Sequence, residues 1–278
     1  MPGRDGAAGR LQVRKTYKLF VNGEFVRSES GRAYRPLGEV NIPRGSRKDL
    51  RDAVRAARAA FAGWSARTAM NRGQILYRAA EMLDGRSAQF VQLLGGGSAA
   101  RRELEQSVEA LVWYAGWTDK LQQVTGTVNP VSGPYFNFTI PEPTGVVGIV
   151  APEDPPLLGL VRRIAPALCG GNVVVALAPE TNPVPALTLA EVMATSDFPA
   201  GTVNVLSGLR KELLPWLASH MDVNAVDVAG CTADEMRSME SLAADNVKRV
   251  VKNRADEMSP YLITSFMEMK TVWHPIGV

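Results

Sequence analysis

Between residues 144 and 252 the chain switches repeatedly from short runs of aliphatic and β-branched residues to helical stretches and back. Runs at 146–151, 172–177, 203–206, 225–229 and 249–252 predict strands, and the stretches near 157–168, 184–194, 211–220 and 232–244 predict helices between them. Strands separated by helical crossovers cannot pair as hairpins. The pattern therefore predicts an α/β fold: a five-stranded parallel sheet with covering helices. Such a sheet binds ligands outside the carboxyl ends of its strands. The loops to read for function are thus 151–156 (APEDPP), 178–183 (APETNP), 207–212 (SGLRKE) and 229–234 (AGCTAD).

The residues before the sheet follow other periods. In YKLFVNGEFV, residues 17–26, apolar residues flank Asn22-Gly23, the dipeptide best suited to a two-residue hairpin turn. Ser46 and Asp49 form a capping box, and Leu50, Val54, Ala57 and Phe61 follow at helical spacing. Residues 69–94 repeat the helical period up to Gly95-Gly96-Gly97, and a further helix is predicted over 101–122. An N-terminal helical layer over 46–122 thus precedes the sheet over 144–252, both inside one domain of residues 16–257. A basic tail, 1–15, is expected to be disordered.

Composition removes several classes of function. With 46% apolar and 21% charged residues, the 278-residue chain can bury a sizeable core. Its net charge of +3 is already supplied by Arg4, Arg10, Arg14 and Lys15 against Asp5. The remainder is neutral, so no nucleic-acid partner is expected. No apolar run reaches the ~20 residues of a membrane span, and MPGRDGAAGR lacks the apolar stretch of a signal peptide. The expected location is the cytoplasm, with Cys169 and Cys231 reduced and buried. Two histidines, His220 and His274, and no Cys/His pair at ligand spacing argue against a metal site. No phosphate-binding G-x-x-x-x-G-K motif occurs.

The segments YKLFVNGEF, AARAAFAGWS, PTGVVGIVAP, IAPALCGGNVVV, TNPVPAL, FPAGTVNVLSG, SHMDV and LITSFMEMKTVWHP resemble, in order, segments of the aldehyde dehydrogenase superfamily. The resemblance runs from Tyr17 to about Val251 and resumes at 261–275, where it looks like the family's C-terminal strand. It implies a Rossmann-like sheet, a C-terminal oligomerisation strand over 258–278, and a member lacking the catalytic domain. That reading makes the chain similar to the degenerate second copy of the family's tandem-domain branch.

The resemblance also assigns roles, and the residues depart from them. Neither Cys169 nor Cys231 lies in the family's nucleophile motif. Asp154 stands where the family has the asparagine that donates to the oxyanion, and a carboxylate there opposes the developing charge. Asn253 falls nearest the glutamate that acts as general base, and an amide takes no proton at neutral pH. Of the dinucleotide contacts, Glu180, Gly208 and Gly230 persist as vestiges. Leu177 replaces a lysine, Arg210 and Leu214 replace glycines, and Glu235 another glycine. A solvated arginine is expected at Arg210, and NAD(P) binding is not expected.

In the family the C-terminal strand reaches a neighbouring subunit. Phe266, Met267, Met269, Lys270, Val272 and Trp273 are therefore the expected interface, with a full-length aldehyde dehydrogenase as partner. The function so implied is a non-catalytic subunit of a hetero-oligomeric oxidoreductase complex, which it stabilises or regulates. The alternatives are an active NAD(P)-dependent aldehyde oxidoreductase and a dinucleotide-binding module.

Overall fold

Local chemistry forms the first elements as the sequence dictates. The computed structural model describes residues 15–38, 40–253 and 257–277, so the tail predicted over 1–15 lies, apart from Lys15, outside the described residues. Strands β1 (Leu19–Val21) and β2 (Glu24–Val26) are joined by Asn22 and Gly23 at φ 55° and 78°, the positive values that a two-residue hairpin turn requires. A short pair follows, β3 (Ala33–Tyr34) with β4 (Ile42–Pro43). Helix α1 (Arg47–Ser65) starts on the predicted capping box: Ser46 accepts from the Asp49 N–H at 3.3 Å, and the Asp49 carboxylate accepts from the Ser46 N–H at 2.8 Å. Asp49 also accepts from the Ser28 hydroxyl at 2.8 Å, which ties the helix start to the chain beyond the hairpin.

The helix predicted over 69–94 is two helices, α2 (Ala69–Asp84) and α3 (Ser87–Leu93). Gly85 ends the first by donating back to the Glu81 carbonyl. Gly95, Gly96 and Gly97, all at positive φ, turn the chain into α4 (Gly97–Trp117), and the short α5 (Leu121–Thr125) follows.

Beyond β5 (Thr127–Asn129) and β6 (Tyr135–Pro143), the alternation read from the sequence appears in order. It comprises β7 (Val146–Val150), α6 (Leu158–Cys169), β8 (Val173–Leu177), α7 (Val184–Met193), β9 (Val203–Leu206), α8 (Arg210–Ser219), β10 (Ala225–Asp227), α9 (Ala233–Ala243) and β11 (Arg249–Val251). Helix α10 (Pro260–Thr264) and strand β12 (Met267–Pro275) complete the chain. The five parallel strands are ordered β11-β10-β7-β8-β9, and most of their residues are buried, as apolar runs covered on both faces must be.

The hairpin enlarges that sheet to seven strands, because β1 pairs antiparallel with β9 at Phe20 and Val205. Its turn is held by the buried Asn204, whose side-chain oxygen accepts from the Asn22 N–H at 3.0 Å. Among the described residues, no helix is long and apolar enough to cross a membrane.

A second sheet, β12-β6-β5, forms an arm at the far end of the helical layer. Strand β6 was not foreseen, since Pro141 and Pro143 made the segment read as a boundary. Its consequence is large. The C-terminal strand, expected to be a lone strand in search of another subunit, is paired antiparallel with β6 over nine residues, from Met267 with Pro143 to Pro275 with Tyr135. Phe266 and Met267, expected at an interface, are 1% and 4% exposed and belong to the core. Met269, Lys270, Val272 and Trp273 do face solvent.

The root of the arm is fixed by Asn172, fully buried between α6 and β8. Its amide oxygen accepts from the Gly145 N–H at 2.9 Å, while its NH2 donates to the carbonyls of Ala167 at 3.1 Å and Phe266 at 3.0 Å. Asn172→Ala would leave the Gly145 N–H without its acceptor, while the carbonyls of Ala167 and Phe266 keep the backbone donors of residue 172 and Thr144, and should cost about 1–3 kcal/mol in chemical denaturation. At the opposite corner Lys248, 7% exposed, donates to the carbonyls of His220, at 2.8 Å, and Val223. Burial pulls its ammonium down to about 8 from an ordinary 10.5. Between those values the unfolded chain holds more proton than the folded one, so stability gained from this residue rises with pH. The melting temperature of the wild type relative to Lys248→Met should therefore climb from about pH 7.5 to about pH 10. A flat difference over that range would refute the assignment; titration of Cys169 is common to both proteins and cancels.

Candidate functional site at the strand ends

Two strands that leave the middle of a parallel sheet in opposite directions open a crevice at their carboxyl ends. Here they are β7 and β10, and the loops around them bring together the residues singled out by sequence. Arg210, the first residue of α8, lies across that place and is 8% exposed. Its guanidinium donates to the Ala151 carbonyl at 2.5 Å, just past β7, and to the Gly230 carbonyl at 2.9 Å, just past β10. It also pairs with Glu153 at 2.9 Å and with Glu235 at 3.5 Å. The expectation of a solvated arginine is wrong. A planar fork with five N–H donors can satisfy several strand-end acceptors at once, which makes an interior place favourable.

The carboxylates around Arg210 are ordered in turn. Glu153 accepts from the N–H groups of Glu180 and Thr181, each at 2.9 Å, and from the Thr181 hydroxyl at 2.6 Å. Burial alone would raise its carboxyl, but these bonds and the charge of Arg210 outweigh burial and hold it below the usual carboxylate range. Glu180 accepts from the backbone N–H of Arg210 at 2.6 Å. Glu235 also closes a capping box with Thr232 at the start of α9.

Gly208 and Gly230 are close-packing positions. A Cβ on Gly208 would stand 3.1 Å from the Gly45 nitrogen and 2.8 Å from the Leu213 side chain, and one on Gly230 would stand 2.3 Å from the Val150 carbonyl oxygen. The loop after β10 therefore rests directly on the end of β7. Leu177 and Leu214 are buried.

A second arginine closes the neighbouring gap. Arg163 on α6 lies 3.9 Å from Asp227 at the end of β10, and both are almost wholly buried. Its guanidinium also donates to the carbonyl of Asn253, the residue expected at the general-base position. Burial pushes Asp227 up to about 6, against the pull of Arg163 and of the Ala229 N–H at 2.9 Å. Asp154 is exposed in the loop after β7. The start of α6 that follows is capped from α4 by Glu103, which accepts from the N–H groups of Leu157 and Leu158 at 2.8 and 3.1 Å.

Of the two thiols, that of Cys169 lies at the end of α6 and that of Cys231 in the loop after β10. Cys169 is buried and its thiol is pushed up to about 12 by burial, far from the thiolate a nucleophile requires. Cys231 is 5% exposed, with its sulfur 3.5 Å from that of Met239. Among the described residues no group of three His, Cys, Asp or Glu side chains could hold a metal ion. A cleft of about 670 Å³ lies elsewhere, between the helical layer and the arm, walled by Arg67, Arg72, Asp119, Glu142 and Lys270.

Known proteins share much of this sequence and its fold. The model of the aldehyde dehydrogenase family matches residues 35–254. "Aldehyde dehydrogenase, cytosolic 1" of Elephantulus edwardii is 34% identical over 90% of this chain and 52% of its own length. Omega-crystallin of Enteroctopus dofleini is 33% identical over 84% of this chain and 50% of its own. Among solved structures, an aldehyde dehydrogenase of Bacillus cereus in complex with NAD+ superposes with a TM-score of 0.78 at 28% identity, over 85% of this chain and 50% of that one. The chain thus spans about half the length of the relatives it matches. With most of its length matched in sequence and its sheet matched in space, the chain belongs to the aldehyde dehydrogenase family.

Proposed function

We propose that this chain acts as a non-catalytic subunit that pairs with a full-length aldehyde dehydrogenase and stabilises or regulates it. The observation that carries this reading is the arm. Its sheet exposes Tyr135, Met269 and Trp273 on one face and Phe136 and Val272 on the other, while among the described residues β12 is hydrogen-bonded on one side only. An open nine-residue strand edge beside a cluster of exposed aromatic rings suits addition to another sheet better than solvent. Lys270 on that strand forms an exposed ion pair with Glu142 of β6, diagonally across the ladder.

The strand-end chemistry supports the same reading. The charged groups there are bonded to one another, and each of the two thiols is buried. We place the subunit in the cytoplasm, the compartment named for the Elephantulus edwardii relative.

Co-expression with a full-length aldehyde dehydrogenase, followed by native mass spectrometry, should show one species containing both chains. Val272→Glu combined with Trp273→Glu should remove it while leaving the melting temperature of the free chain within a few degrees. Two separate species from the wild-type pair would sink the proposal. The purified chain should form no NADH from aldehydes, and Cys169 should resist iodoacetamide at pH 8 until urea unfolds the protein. Turnover that disappears in Cys169→Ala or Cys231→Ala would replace this reading with an active oxidoreductase.

A further inference from the structure

The sheet that this family uses to hold a dinucleotide carries, at its switch point, an arginine bound to its own strand ends. We propose that Arg210 is a built-in occupant of the crevice between β7 and β10, which closes it to NAD and NADP. The claim concerns this crevice alone and stands whether or not the chain pairs with a dehydrogenase.

A dinucleotide seated at such a crevice places its pyrophosphate against the loops at the strand ends and the first turn of the following helix. The groups that Arg210 itself would offer it already have partners. The backbone N–H of Arg210, at the start of α8, donates to Glu180, and its guanidinium donates to the carbonyls of Ala151 and Gly230. The charge is also wrong. One arginine stands among Glu153, Glu180 and Glu235, so an incoming pyrophosphate meets more negative charge than positive. Glu153 is held in its ionised form by the bonds around it, so its charge does not fade at neutral pH.

The loop after β10 is also packed tightly on β7. Gly230 lies so close to the end of β7 that even one added carbon would fall 2.3 Å from the Val150 oxygen. To admit a ligand, Arg210 would have to leave two carbonyls and two carboxylates at once, which strands buried acceptors without donors. The residues of this crevice therefore do not fit the cofactor that the fold implies.

Hydrogen exchange and thermal melting on the full chain test this, with NAD+ and NADP+ as probes at millimolar concentration. Neither dinucleotide should shift the melting temperature of the wild type or slow exchange in 151–156, 178–183 and 229–234. Arg210→Ala should raise exchange in 151–156 and 229–234 by roughly tenfold, as loss of a cross-link between loops does, and leave α1 and α2 unchanged. Should that variant fail to fold, Arg210→Lys keeps the charge but cannot span both carbonyls, and the same loops should exchange faster in it. Saturable dinucleotide binding by the wild type with protection of these loops would overturn the proposal. So would wild-type exchange in a folded Arg210 variant.

Discussion

A parallel sheet presents a row of backbone carbonyls at its carboxyl end, and each must find a donor from loop, ligand or side chain. In this chain backbone N–H groups reach the carbonyls of Leu177, Leu206 and Val251, and two guanidinium groups bind carbonyls just beyond the strands. Arg210 joins the end of β7 to the end of β10, and Arg163 joins β10, through Asp227, to Asn253, the second residue after β11. The sheet is thus cross-linked at the edge where related folds leave room for a ligand. Each guanidinium is buried with an acidic partner, the arrangement that makes removal of either member costly. The loops at this end are held by residues of the chain itself.

The other end of the molecule depends on a smaller device. Asn172 binds the start of β7, the last turn of α6 and the turn that delivers β12. Phe266 and Met267 are consequently pulled into the core, and the strand leaves the body at a defined point and angle to lie along β6. Exposed aromatic side chains on that arm are carried by a rigid ladder, not by a loose tail. A surface held in this way can be recognised with little loss of conformational freedom.

How far the sequence could be read followed the range of the forces involved. The five parallel strands, the helices between them, the capping box at Ser46 and the turn at Asn22-Gly23 all come from neighbours within a few residues, and each was found within one or two positions of its expected bounds. Long-range pairing was invisible. Nothing local in β1 announces Phe20 beside Val205, and nothing in α4 announces that Glu103 caps α6. Prolines 141 and 143 hid β6, and without β6 pairing with another chain was favoured over the alternative that the terminal strand folds back on its own domain. Glu180, Gly208 and Gly230 do meet at the strand ends, but their significance rests on Arg210. Sequence alone treats a charged residue as solvated unless its partners are known, and Glu153 and Glu235 lie in other loops.

The sheet edges have a consequence for solubility. Strands β2 and β11 at the two margins of the large sheet have three residues each and offer a stray chain little to add to. Strand β12 offers nine. A long strand margin left open among the described residues makes a molecule prone to stack on its own copies at high concentration. Crowding of many copies would favour precipitation along that margin.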